Sequence, residues 1–165
     1  DGEKFDPNVL KILNVLNPDF IWKIDVSKAT FYLGTLGVYL QRNRIKYIAI
    51  ENNELEFLSK EDVDKEINSI KNILKYYQMI EGSAEEKNPS IYKRKVIRVN
   101  HSGLFIPEKI ELLSKVEKSY LIGHLINLKD FSKQEIRTEK EGILLQIRRK
   151  DTISTGDFIY SISEE

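Results

Sequence analysis

Residues 47–51 read Tyr-Ile-Ala-Ile-Glu, a continuous apolar run that ends in a carboxylate. A run of this kind predicts a strand buried on both faces, as in a parallel sheet that helices cover. The strongest helical pattern of the chain follows, with apolar residues at every third or fourth position from Val63 to Ile80. Ser59 is placed as its N-cap and Gly82 as its C′ residue. A buried strand followed by such a helix predicts an α/β fold.

The residues before this strand continue the alternation of helix and strand. Asp6 and Pro7 predict the start of a helix, and the Asn-Pro pair at 17–18 predicts its end. Residues 20–24 predict a short strand, and residues 29–42 predict a second helix whose two glycines indicate close packing. Two strand candidates are fewer than a typical sheet contains, so we expect this α/β half to be part of a larger sheet.

The second half of the chain has the pattern of short strands separated by turns. We place the boundary near Tyr92, which gives an α/β portion over residues 1–91 and a β portion over residues 92–165. Several short strands at close spacing predict a small barrel or sandwich. The strand candidates are residues 95–99, 104–106, 120–126, 142–148 and 158–162.

Composition narrows the class of protein. The chain has 165 residues with 26 Lys and Arg against 26 Asp and Glu, so its formal net charge is zero. This balance argues against a nucleic-acid-binding protein, which needs a basic excess on one face. No apolar run approaches the roughly 20 residues of a membrane-spanning helix, so we expect no membrane insertion. There is no cysteine, which removes disulfides and thiolate zinc sites and suits a cytoplasmic protein.

The first residues have no initiator Met and no apolar signal sequence. Together with the small number of strands in the α/β portion, this start predicts that the sequence begins inside a longer polypeptide.

Glu51 is the candidate catalytic residue. It is predicted at the carboxyl end of a buried strand, the edge where α/β sheets place their ligands. A partly desolvated carboxylate there can act as a general base. The alternative is that Glu51 only ends the strand and meets solvent or the N-terminus of a helix. A metal site built from His101, His124 and a carboxylate is a weaker hypothesis, because the two histidines lack metal-ligand spacing. We interpret both as polar residues of the β portion.

The residues from Thr30 to Glu51 and from Asp62 to Gly82 resemble the succinylglutamate desuccinylase and aspartoacylase family. The family pattern Gly-Ile-Pro-Ala-Ile-Thr-x-Glu corresponds to residues 44–51, Arg-Ile-Lys-Tyr-Ile-Ala-Ile-Glu. A helical pattern of the family corresponds to residues 70–82. The resemblance implies a fold like that of zinc carboxypeptidases, of which this chain holds a partial sheet with helices.

The last third is similar to the C-terminal β domain of the same family, a barrel-sandwich fold akin to lipoyl domains. The matching residues are 101–107, 122–123, 138–144 and 155–159. Lys140 lacks the neighbours of a lipoyl attachment site. The resemblance covers most of the chain from about Asp6 onward.

The resemblance implies a zinc-dependent deacylase in which a glutamate takes a proton from a zinc-activated water and delivers it to the leaving amine. Glu51 matches that glutamate. The zinc ligands of the family, a His-x-x-Glu pair and a later His, precede the matched segment, and this chain has no His before His101. Zinc is thus implied as a cofactor, whereas no metal ligand or cofactor-binding residue is assigned in this chain.

Three functions follow from these observations. The first is a portion of a hydrolase that cleaves the amide of an N-acyl amino acid, with Glu51 as general base. The second is a non-catalytic relative that acts as a binding or assembly module. A free-standing lipoyl-like carrier ranks last, because no modifiable lysine lies in the right sequence frame. The expected partner is a small N-acyl amino acid substrate, and the oligomeric state, including a homo-oligomer, stays open.

Overall fold

The computed structural model describes residues 6–23, 34–51, 59–149 and 152–164. The chain divides into two compact units, Asp1–Ile91 and Tyr92–Glu165. Helices lie in the first unit and most strands in the second, so the predicted mixed α/β architecture is confirmed. No helix in the described ranges is long and apolar enough to cross a membrane.

Helix α1 spans Pro7–Leu16 and has the two ends that the sequence predicts. The Asp6 carboxylate accepts a hydrogen bond from the Asn8 N–H at 2.8 Å, which satisfies one of the free donors of the first turn. At the other end, Asn17 adopts a left-handed φ of 53°, and its N–H donates to the Leu13 carbonyl at 3.1 Å. Asparagine tolerates this conformation better than most residues, so the helix ends there.

Strand β1 spans Phe20–Trp22, as predicted, and helix α2 spans Leu36–Arg42. The predicted start of α2 at residue 29 is wrong, because Thr35 caps the helix and its hydroxyl accepts from the Val38 N–H at 3.5 Å. The earlier part of that predicted helix, with residue 24 of the predicted strand, lies outside the described residues.

Helix α3 spans Lys60–Tyr76 and begins with a capping box. The Ser59 hydroxyl accepts from the Asp62 N–H at 3.1 Å, and the Asp62 carboxylate accepts from the Ser59 N–H at 3.1 Å. Two donors that the helix leaves without partners are therefore satisfied reciprocally. The predicted N-terminus of this helix is confirmed.

The predicted C-terminus of α3 at Gly82 is wrong. The helix ends at Tyr76, and Gln78 adopts the left-handed φ of 56° that the sequence assigns to the glycine. The Met79 N–H then donates to the Leu74 carbonyl at 2.8 Å. The apolar periodicity continues past the helix end, which is why the sequence overextends it.

The predicted strand at residues 47–50 does not form in this structure. These residues lie outside helices and strands, and three of them are exposed. The prediction of a strand buried on both faces is therefore wrong here. Such a strand needs partners along its edges and layers on its faces, and no described strand pairs with this segment.

An apolar cluster of the first unit joins α1 and β1. Val9, Ile12, Ile48 and Ile73 pack, partly buried, against the buried side chains Leu13, Leu16 and Ile21.

The second unit is built from antiparallel strands, and β2 begins just before it. Five of these strands match predicted ones, whereas β4, β6 and β8 are not predicted because they are very short or polar. The strands are β2 Ser90–Arg98, β3 Gly103–Pro107, β4 Lys115–Val116, β5 Leu121–Ile126, β6 Lys133–Arg137, β7 Gly142–Ile147, β8 Thr152–Ile153 and β9 Phe158–Glu164.

The strands of the second unit form two sheets. One has neighbours in the order β2-β9-β7-β4, and the other in the order β6-β5-β3-β8. Tyr160 lies opposite both Ile97 and Ile147, and Phe105 lies opposite Leu125. The inner faces of both sheets share one apolar core, because Phe105 and Leu125 of one sheet cluster with Tyr160 of the other. The two-sheet arrangement is confirmed, whereas no barrel closes among the described strands, so the barrel-sandwich assignment stays a prediction.

Candidate functional site

Glu51, the candidate general base, lies at the surface of the first unit. It follows the segment 45–50, and its side chain is exposed. The structure thus places this carboxylate after a surface segment and not at the end of a buried strand. Its catalytic role stays a prediction.

Contacts along its length hold the segment that carries Glu51. At its start, Arg44 adopts a left-handed φ of 58° and the Ile45 N–H donates to the Leu40 carbonyl of α2 at 2.8 Å. In its middle, Ile48 packs against the buried cluster of the first unit. Glu51 is therefore three residues from a fixed apolar anchor.

A further contact of this segment is ionic. The Lys46 ammonium lies 2.7 Å from the Asp6 carboxylate, which also caps α1. The hydrogen bond from Lys46, followed by that from the Asn8 N–H, holds the pKa of the Asp6 carboxyl below its usual value. This pair is exposed, so it fixes the position of the segment more than it stabilises the fold.

Tyr47 packs against α2. A Cβ added to Gly37 would collide with the outer end of the Tyr47 side chain, so a larger residue at position 37 requires that ring to move. The close packing that the sequence predicts for this helix is confirmed at Gly37.

A second feature of the first unit is an open groove of about 800 Å³ beside α3. Glu51 is not among its lining residues, so the predicted base and this groove are separate. Both charge signs are interleaved along it, which gives no net field for a strongly charged ligand. The lining residues are Val15, Leu16, Asn17, Lys60, Glu61, Asp64, Lys65, Asn68, Ser69, Lys71, Asn72, Lys75 and Glu85.

Asn72 is the best-connected side chain of this groove. Its amide N–H groups donate to the carbonyls of Val15 and Glu85, each at 2.6 Å, and its oxygen accepts from the Glu85 N–H at 2.8 Å. One side chain therefore joins α1, α3 and the loop after α3. The sequence offers one signal for it, because asparagine is unfavourable in a helix interior unless its side chain has such partners.

The second unit has a cleft of about 250 Å³ beside Tyr160. The buried Tyr160 hydroxyl donates to the Arg137 carbonyl and accepts from the Glu139 N–H, both at 3.3 Å. Burial raises the pKa of this phenol. His101 also lines the cleft, with Nδ1 at 2.7 Å from the Asn100 side-chain oxygen.

His101 lies in the loop between β2 and β3. His124 lies on β5, and its Nδ1 is 3.5 Å from the Glu108 carboxylate. Across residues 6–23, 34–51, 59–149 and 152–164, no three His, Asp or Glu side chains are grouped to hold a metal ion. The hypothesis of a site built from His101, His124 and a carboxylate therefore finds no support among these residues, and they do not fit the zinc that the resemblance implies.

Comparison with known proteins identifies solved structures that share the fold of this chain. No protein-family model matches the sequence, and no curated protein matches it. Solved structures do. The ectoine utilization protein EutE (DoeB) from Ruegeria pomeroyi, in a product-bound structure, matches with a TM-score of 0.78 and 14% identity, over 98% of this chain and 50% of that chain.

Two further structures carry the names of the family that the motifs resemble. A succinylglutamate desuccinylase from Silicibacter sp. TM1040 matches with a TM-score of 0.71 and 16% identity, over 95% of this chain and 49% of that one. An aspartoacylase family protein from Mesorhizobium loti matches with a TM-score of 0.69 and 13% identity, over 96% and 55%. The chain thus shares the fold of these proteins and spans about half their length.

Proposed function

We propose that this chain is the C-terminal portion of a hydrolase that cleaves the amide bond of a small N-acyl amino acid. The observation that carries the proposal is the fold: nearly the whole chain matches succinylglutamate desuccinylase and aspartoacylase structures. Because fold alone does not define function, the proposal also depends on the residues that resemble the family's motifs.

In this proposal Glu51 is the general base. Its carboxylate takes a proton from the water that attacks the amide carbonyl and delivers it to the leaving amine. An exposed carboxylate three residues from the Ile48 anchor is accessible to a substrate.

In this proposal, residues outside the described ranges would hold the zinc, because the described residues include no suitable group of ligands. No step of Glu51 is therefore assigned through the metal. The second unit is proposed to be the barrel-sandwich domain that shapes access of the substrate, and a cytoplasmic setting suits a chain without cysteine.

The test is amine release from N-acetyl and N-succinyl amino acids by the full natural polypeptide, with zinc supplied. We expect Glu51→Gln to lower kcat by about 10²- to 10⁴-fold, the usual contribution of a general base. Glu81→Gln, which removes another exposed carboxylate of the same unit, should leave kcat unchanged. Equal rates for Glu51→Gln and the parent protein would remove the general-base role.

A non-catalytic binding or assembly module is the second candidate. The bare apolar side chains of α3 favour it, since they suit a surface that another protein segment covers. No hydrolysis of any N-acyl amino acid by the full protein with zinc would favour this candidate over the first.

A further inference from the structure

Strand β6 forms one edge of the four-stranded sheet of the second unit. Among the described strands it pairs with β5 on one side and with none on the other. Four of its five residues are exposed, and its sequence, Lys-Gln-Glu-Ile-Arg, contains no proline. An edge of this kind presents backbone N–H and C=O groups with which another chain can pair.

The hydrogen bonds at the two ends of β6 show which backbone groups face outwards. The Ser132 carbonyl accepts from the Asn127 N–H at 3.0 Å, and the Thr138 N–H donates to the Tyr120 carbonyl at 2.9 Å. Backbone groups alternate in direction along a strand, so the even-numbered residues of β6 face β5. The odd-numbered residues therefore direct their N–H and C=O groups away from the sheet.

The outward-facing residues are Lys133, Glu135 and Arg137. The Arg137 carbonyl is already used within its own chain, because it accepts from the Tyr160 hydroxyl at 3.3 Å. Among the described residues, the remaining outward groups therefore centre on Gln134. An antiparallel strand that pairs about Gln134 would use the backbone groups of Lys133 and Glu135 and leave the Tyr160 bond intact.

We propose that two copies of this chain associate through β6, in an antiparallel pair centred on Gln134. The four-stranded sheet of each copy then continues into that of the other. Lys133 of one copy and Glu135 of the second copy exchange both backbone hydrogen bonds, and the two-fold axis repeats this contact. The proposal goes beyond the proposed hydrolase function and does not depend on it.

Charge complementarity argues for a second copy as the occupant of this edge. Residues directly opposite each other in an antiparallel pair interact, so opposite charges stabilise the pair and like charges destabilise it. Pairing about Gln134 gives two contacts between Lys133 and Glu135. Pairing about Glu135 would instead set that carboxylate against its own copy, and Lys133 against Arg137. The charges of β6 thus favour one register of the pair.

Charged residues on an edge strand usually prevent association. They do so when the strand carries one sign of charge, because each copy then repels the other. Strand β6 carries Lys133, Glu135 and Arg137 at alternate positions, so the sign of charge alternates along the exposed edge. Such a strand is complementary to a second copy of itself when the two run antiparallel.

The turn that leads into β6 also favours association. The side chains of Asn127 and Asp130 fix this turn, since they accept from the N–H groups of Lys129 and Ser132 at 2.9 and 3.0 Å. Phe131 lies in the turn with a left-handed φ of 58° and is 75% exposed, a conformation that large side chains rarely adopt. A second copy beside β6 would cover this ring, and an edge that is already ordered loses little conformational freedom on association.

Sedimentation of the full natural polypeptide at tens of micromolar tests the association. We expect a reversible dimer, because two short strands bury less area than a standard interface. Glu135→Lys places a cation opposite Lys133 at both contacts and should raise the Kd of the dimer by at least about 10-fold. Glu111→Lys, the same change at another exposed position of the second unit, should leave the Kd unchanged. A monomer at these concentrations, or equal Kd values for Glu135→Lys and the parent protein, would overturn the proposal.

A charge swap that combines Lys133→Glu with Glu135→Lys separates the contact between copies from effects within one copy. Arg137 Nε lies 2.9 Å from the Glu135 carboxylate of its own chain, and the swap does not restore this pair. It does restore opposite charges between the copies, so we expect a Kd within about 3-fold of that of the parent protein. A swapped variant that associates as weakly as Glu135→Lys would overturn the proposal.

Hydrogen exchange locates the interface in the same polypeptide. The amides of Lys133 and Glu135 should exchange more slowly as the protein concentration rises, because hydrogen bonds to the second copy protect them. The Gln134 amide faces β5 and is the internal reference, since its own bond within the sheet does not depend on concentration. Slowing that is confined to residues outside β6 would overturn the proposal, because the interface would then lie elsewhere.

Discussion

Asn72 joins three segments of the first unit through one side chain. Its three hydrogen bonds satisfy backbone groups of Val15 and Glu85, and Val15 is fully buried. Leaving a buried carbonyl without a partner costs the desolvation of that group as well as the bond.

We therefore expect Asn72→Ala to lower the free energy of unfolding by about 1–3 kcal/mol. Asn68→Ala, one helical turn earlier and exposed, is the matched control and should change it by less than about 0.5 kcal/mol. Urea unfolding followed by circular dichroism measures both. Similar losses in the two variants would show that the Asn72 bonds do not stabilise the unit.

At the scale of elements, the start of α3 is set by its capping box and not by burial, because none of its residues is buried. Ser59→Ala should therefore destabilise the protein by about 1 kcal/mol, the usual cost of losing a cap. Ser69→Ala, the same change in the helix interior, should be neutral or slightly stabilising, since alanine has the higher helix propensity. Thermal unfolding of the two variants decides the point, and a neutral Ser59→Ala would contradict it.

The elements also show what the sequence can predict. The helix starts that short-range chemistry determines were predictable, namely the caps at Asp6 and Ser59. The conformation of the segment 45–50 was not predictable. An apolar run forms a strand only where neighbouring strands pair with it, and the run alone does not identify those neighbours. For the candidate site, the sequence proposes Glu51. The contacts of Asn72 could be identified only from the structure, because they join segments that are distant in the sequence.

At the scale of the whole molecule, the dependence of stability on pH follows from the groups whose pKa values the fold shifts. On the acid side, the bonds from Ser59 to Asp62 and from Lys46 to Asp6 lower the pKa of both carboxyls. Their stabilisation is complete above the usual pKa of 3.8 and is lost as the pH falls through the lowered values.

At alkaline pH, the stability of the second unit depends on the ionisation of the buried Tyr160 phenol. Burial raises the pKa of its phenol, so the folded state keeps this proton to a higher pH than the unfolded chain does. Its contribution is therefore full below the unfolded pKa of about 10 and falls as the pH rises past that value. We expect the urea midpoint to fall less steeply above pH 10 in Tyr160→Phe than in the parent protein, although the variant starts lower because two hydrogen bonds are lost. Tyr120→Phe, at an exposed position, should keep the parent slope. Identical slopes for the parent and Tyr160→Phe would show that the buried phenol does not control alkaline unfolding.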